Sequence, residues 1–163
     1  IGARANDENG SDAGAMYIML EPSLYGGVYD VLDESGIQFY GAEAGDQLGK
    51  TAPGTMDFNN DAVTDLIVGT PEIDCPAASC GRAYVFYGPI VDIESTNLGE
   101  DEGTEDASFR GLGVRDFAAS ALLTGHDLNG DDIDDLGIAA KEAPGLDGSG
   151  DAGAVHVVFG KGM

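Results

Sequence analysis

The sequence predicts an all-β chain made of repeated four-stranded antiparallel units, of the kind that form the blades of a β-propeller. Three observations carry this. "GAMYIML" (14–20), "GRAYVFY" (81–87) and "GAVHVVF" (153–159) are three versions of one strand, a Gly followed by small, β-branched and aromatic residues. "DFNNDAVTDLIVG" (57–69) recurs as "DLNGDDIDDLGIA" (127–139), an offset of 70 from Asp57 to Asp127. Gly is abundant, at 26 of 163 residues, and Trp is absent. That balance favours short strands and tight turns over long helices.

The elements follow in order. "IGAR" (1–4), "VGTP" (68–71) and "IAAK" (138–141) each precede a copy of the common strand across a Gly- and Asp-rich loop. "FYGAEAGDQLG" (39–49) and "FRGLGVRDFAA" (109–119) precede the acidic clusters, with Phe39, Gly41 and Asp46 matching Phe109, Gly111 and Asp116. One repeat therefore reads Phe-x-Gly, a short strand, the acidic loop, an apolar strand, a polar loop and a third strand. The variable stretches 21–38 and 88–108 follow, and each is expected to hold a fourth strand and a long acidic turn. The spacings of 67 (Gly14 to Gly81) and 72 (Gly81 to Gly153) suit one blade per repeat. Near-continuous apolar runs such as "DLIVG" and "YVFYG" suit strands covered on both faces. A blade cannot bury both faces alone, so neighbours must supply the core. The competing architecture is an open β-sandwich of repeated hairpins, and the regular period argues against it. The expected division is a partial blade over 1–38, a full repeat over 39–108, and a repeat lacking its outer strand over 109–163.

Charge narrows the function. Thirty acids against seven Lys and Arg give a formal charge of −23. Phosphate binding needs cations on the protein, so nucleic acid is excluded as an expected partner. Bound divalent cations or salty surroundings would each relieve such a surface. Two calcium ions alone would remove only a small part of it. No long apolar run is present, so no membrane span is expected. The opening "IGAR" reads like the interior of a domain, from a processed precursor or a longer protein. Cys75 and Cys80, in "EIDCPAASCGR", are spaced for a small disulfide-closed loop, which points to an oxidising, extracytoplasmic setting. A metal site there is the alternative, and it lacks further Cys or His ligands nearby. "NGS" at 9–11 is a glycosylation sequon, a short pattern that recurs by chance.

The acidic loops carry the most specific chemistry. At alternate positions the first reads Asp57, Asn59, Asp61, Val63 and Asp65, and the second Asp127, Asn129, Asp131, Ile133 and Asp135. Alternate residues of a tight loop aim their oxygens at one point, and hard oxygens suit Ca²⁺. Val63 and Ile133 would contribute backbone carbonyls only. An EF-hand loop begins the same way but needs Glu at its twelfth position. Here that position is Val68 or Ile138, inside a strand. A solvated acidic turn is the plain alternative, and two copies in register argue against it.

These residues resemble the FG-GAP repeats of integrin α-subunit propellers and related surface proteins. The carrying motifs are the two Asp-rich loops, "GTP" at 69–71, "AYVFYG" at 83–88 and the Phe-x-Gly segments. The resemblance spans about two and a half repeats, and it implies two calcium sites on the ten loop residues just named. The family favours Gly at the sixth loop position, where this chain has Ala62 and Asp132. The Phe-Gly dipeptide reads "LG" at 48–49 and "FA" at 117–118, and "AAK" replaces "GAP" in the last repeat.

What the resemblance implies is a non-enzymatic, extracellular or cell-surface adhesion module binding a protein or glycan. Another polypeptide segment, from an identical chain or the same precursor, is expected to complete the propeller. One alternative is a structural subunit whose copies share blades in a ring or filament. Another is an accessory propeller of a hydrolase. No G-x-S-x-G, H-E-x-x-H or catalytic triad is evident, so no activity of its own is expected.

Overall fold

The computed structural model describes residues 1–20, 30–34, 36–75, 77–99, 104–145, 147–148 and 150–162. Among them the chain is all-β apart from one helical turn, α1 (Val31–Glu34), and a 3-10 turn at Ile90–Asp92. The strands are β1 (Gly2–Ala3), β2 (Ala15–Ile18), β3 (Ile37–Gly41), β4 (Gly54–Met56), β5 (Asp65–Thr70), β6 (Arg82–Phe86), β7 (Thr96–Leu98), β8 (Ala107–Arg110), β9 (Ala118–His126), β10 (Asp135–Ala140) and β11 (Ala154–Val158).

They form three open sheets, in the orders β1-β2-β3-β7, β4-β5-β6-β8 and β11-β10-β9, here called sheets 1, 2 and 3. All pairings are antiparallel except β3–β7, which is parallel. The four-stranded antiparallel unit thus appears complete in sheet 2. Sheet 3 has three described strands. In sheet 1, β1 and β7 stand at the two edges.

The source of the outermost antiparallel strand differs from the sequence expectation. The Phe-x-Gly segments, β3 and β8, close the sheets that precede them, so the expected boundaries at 38/39 and 108/109 fall inside strands. The reason is connectivity. After β6 the chain must reverse to lie antiparallel beside it, and the long acidic stretch makes that reversal before β8. The stretch 88–108 does contain a further strand, β7, but it pairs with sheet 1. Half of the first variable stretch, 21–29, lies outside the described residues.

Side-chain alternation along β5 and β6 explains why both are wholly buried. Leu66, Val68, Tyr84 and Phe86 face sheet 1 and join Met16, Ile37, Phe39, Leu48 and Leu98 in a first core. Ile67, Ala83 and Val85 face the other way and join Leu136, Ile138, Ala118 and Ala119 in a second. Sheet 2 is therefore the middle layer. The positions that sheets 1 and 2 turn toward the next sheet, Met16 and Ala83, correspond to Val155 in β11. Ala83 is fully buried whereas Val155 is 71% exposed.

The repeat extends to backbone conformation. Gln47 and Phe117, Asn60 and Gly130, and Ala62 and Asp132 all have positive φ at an offset of 70. Leu48 N donates to Ala13 O and Ala118 N to Cys80 O, at 3.0 and 2.9 Å, so both sheet-to-sheet crossings use the same bond. The disulfide Cys75–Cys80 closes the end of the β5–β6 hairpin, and both sulfurs sit in the first core.

Candidate functional site

The two acidic loops are hairpin turns, 57–64 between β4 and β5 and 127–134 between β9 and β10. Each begins with an Asp that gathers the amides of its own turn. Asp57 accepts from Asp61 N and Ala62 N, both at 3.0 Å. Asp127 accepts from Asn129 N, Gly130 N, Asp131 N and Asp132 N at 2.6–3.2 Å. The third and fifth positions then pair identically. Asn59 Nδ2 donates to Asp61 Oδ2 at 3.0 Å, and Asn129 Nδ2 to Asp131 Oδ2 at 3.1 Å. Val63 N and Ile133 N donate to Oδ1 of Asp61 and Asp131.

The ninth position differs in kind. Asp65 and Asp135 open the apolar strands and are fully buried. Each takes one amide from its own loop, Phe58 N or Leu128 N, both at 2.8 Å. Each takes a second from the residue after the third strand, Gly88 N at 2.9 Å or Gly160 N at 3.0 Å. A buried carboxylate needs such donors, because leaving an oxygen unpaired there costs free energy.

Gly88 and Gly160 are the site residues that sequence reasoning missed. A Cβ at Gly88 would stand 2.6 Å from Val63 Cγ1, and one at Gly160 2.6 Å from Ile133 Cγ2. Only Gly lets the strand end come close enough to donate. The available signal was the aromatic-Gly pair that closes the strand in both repeats, "YG" at 87–88 and "FG" at 159–160.

Two of these acids are shifted, in opposite directions. Burial holds the Asp65 carboxyl above the usual carboxylate range, against the pull of the Gly88 and Phe58 amides. Asp127 is exposed and lies below that range, because the Asp132 and Gly130 amides donate to its ionised form.

The donor set of each loop is all oxygen: three carboxylates and one amide from side chains, with a main-chain carbonyl at Val63 or Ile133. That chemistry fits a hard cation. The oxygens are also engaged by loop amides, and among the described residues no three His, Cys, Asp or Glu side chains gather as a ready metal cage. An arriving ion would therefore meet a preformed turn and use the lone pairs left on oxygens that already accept amides.

No family model matches the chain, and no curated protein matches it. No helix among the described residues is long and apolar enough to cross a membrane.

Proposed function

We propose that the chain is a calcium-stabilised segment of an FG-GAP-type β-propeller, acting as a non-enzymatic binding or adhesion module outside the cell. The observation that carries this is the likeness of the two loops. Hydrogen bonds, positive-φ positions and the buried closing Asp repeat at an offset of 70 on two sheets packed face to face. Asp57, Asn59, Asp61, Val63 and Asp65 would hold one ion, and Asp127, Asn129, Asp131, Ile133 and Asp135 the other. Calcium would offset the repulsion among each loop's three carboxylates and pin the hairpin. The disulfide supports an oxidising location.

Calorimetric calcium titration tests the metal reading directly. Two binding events are expected, and chelator should lower the melting temperature and open the hairpins to protease, since the folded state alone binds the ion. Unchanged melting and cleavage with chelator at modest salt would leave the loops as ordinary acidic turns.

A second reading is favoured by one feature. Val155, Val157 and Phe159 on the third sheet are 71, 44 and 58% exposed. Another polypeptide segment would cover them, and where that segment is a second copy, the protein is a structural subunit that shares sheets in a ring or filament. Sedimentation separates the two readings, since a monomer at all concentrations counts against the shared-sheet assembly.

A further inference from the structure

β7 is held on β3 by more than its ladder. Thr96, Asn97 and Leu98 run parallel to Phe39, Tyr40 and Gly41. Leu98 is fully buried between sheets 1 and 2. Ser95 Oγ accepts from Gln38 N at 2.8 Å, and Gly99 O accepts from Tyr84 Oη at 3.1 Å and Arg82 Nη1 at 3.0 Å. A further tie comes from the turn between β1 and β2. Asn9 Nδ2 donates to Gly41 O at 2.9 Å and to Asn97 Oδ1 at 3.0 Å, which joins the end of β3 to the middle of β7.

Asn9 also opens "NGS", the only N-x-S/T sequon in the chain. The residue is exposed, as a glycan acceptor must be. Its amide carries two N–H groups, and there is an acceptor for each. The rest of the sequon is held as well. A Cβ at Gly10 would stand 3.0 Å from Ala44 Cβ, and Ser11 O accepts from Gly45 N at 3.0 Å. Oligosaccharide transfer forms a bond from Nδ2 to the anomeric carbon of a sugar. It breaks that carbon's bond to the diphosphate of a lipid carrier, which leaves, and one amide proton is released. A C–N bond of about 1.45 Å laid along either N–H would leave the sugar carbon roughly 1.5 Å from Gly41 O or Asn97 Oδ1. Those atoms cannot share that space, so the glycan and the clamp exclude each other.

We propose that Asn9 is a conditional N-glycosylation site: its amide accepts an oligosaccharide only while the clamp on Gly41 and Asn97 is released, and an attached glycan leaves β7 loosened on β3. As a cellular event this rests on the extracytoplasmic reading above. As a property of the folded chain it does not, and it is independent of calcium.

The test uses the whole folded chain and a capped peptide of residues 5–14, ANDENGSDAG. Each is given a detergent-solubilised oligosaccharyltransferase and an oligosaccharide on a polyprenyl diphosphate. Intact mass reports the product, and the single sequon assigns it to Asn9. Near-ultraviolet circular dichroism reports the fold of each protein sample. The peptide should be modified, and the folded chain at least about tenfold more slowly, since two hydrogen bonds must first open. Asn97→Ala frees one N–H and should speed modification of the folded chain by roughly threefold or more. Leu98→Ser loosens β7 itself and should approach the rate of the peptide. Asn97 is exposed, so its variant decides the matter if Leu98→Ser does not fold. The glycosylated fraction of any of these chains should be cut after the exposed Glu94 by a glutamate-specific protease faster than the unmodified fraction. A folded wild-type chain modified as fast as the peptide overturns the inference, and so does a peptide that is never modified. A modified peptide with no gain in either variant overturns it in favour of a sequon shielded by its own turn. Equal cleavage of the two fractions overturns the loosening of β7.

Discussion

The interface between sheets 1 and 2 and the interface between sheets 2 and 3 share one backbone plan and differ in what fills them. The first holds Phe39, Phe86, Tyr84, Leu48 and Leu98, with Phe39 and Phe86 rings 5.1 Å apart. The second holds Ala83, Ala118, Ala119, Ala140 and Ala143 among Met56, Phe58, Ile67, Val85, Leu136 and Ile138. Ala118 stands where the first has Leu48, and His156 where it has Tyr84. Close-packed interiors lose attraction wherever an atom lacks a neighbour. The first interface makes up its volume with large side chains, an imported strand and a disulfide loop. The second leaves a cavity. Repetition of a backbone therefore does not repeat its energetics.

The largest test of that contrast is a pair of matched truncations. Phe39→Ala should cost about 3–5 kcal/mol, as for other fully buried aromatics. Phe109→Ala, on an already half-exposed ring, should cost roughly 1–2 kcal/mol. Urea midpoints measure both, and equal losses would mean that the two interfaces are packed alike.

Next comes the disulfide, which belongs to the first core alone. Cys75 and Cys80 are five apart in sequence, and opening so short a loop should cost about 2 kcal/mol in the chain-entropy account. Comparing oxidised and reduced protein in the same denaturant checks this. A shift near zero would assign the stability of this hairpin to packing alone.

A smaller effect separates the loops. Ala62 and Asp132 occupy the same left-handed position, at φ 65° and 64°. Asp tolerates it better than Ala, whose Cβ meets the following carbonyl. Ala62→Gly should therefore stabilise the protein by about 1 kcal/mol and Asp132→Gly by less. The same strain should make the first loop the weaker calcium binder. In calcium titrations, Asp131→Ala should remove the tighter event and Asp61→Ala the weaker, and the reverse order would overturn the ranking.

The smallest expected effect is a pH slope. Burial raises the Asp46 carboxyl above its ordinary value, opposed by the Glu43 amide that donates to it at 2.9 Å. A group whose folded pKa is raised binds its proton more tightly in the native state. Its contribution then favours folding as pH falls through the folded pKa, and levels off below the unfolded one. Asp46→Asn keeps an acceptor for Glu43 N and loses the buried charge. The variant should be the more stable at about pH 7 and lose that advantage near pH 4. A constant difference across this range would remove Asp46 from the acid response.

Much of this was legible in the residues themselves. The strand period, the Gly-led third strand and the paired acidic loops are local patterns, and local patterns decide strand, turn and buried face. The Cys75–Cys80 bridge was legible for the same reason, since only four residues separate the two. Three features were not. The Phe-x-Gly segments close the preceding sheets, because pairing partners are chosen by where the chain can return, and that depends on the whole layer. Gly88 and Gly160 reach Asp65 and Asp135 across more than twenty residues, so nothing near either loop announces them. β7 leaves its own repeat to pair with β3, and neither TNL nor its neighbours encode that destination. The sequence by itself determined which residues form strands, which loops concentrate carboxylates and which faces are apolar, because each depends on neighbours in the chain. Only the tertiary structure decided which sheet owns each edge and which of two equivalent clefts is filled, because edge pairing and cavity volume arise only when distant segments compete for the same space.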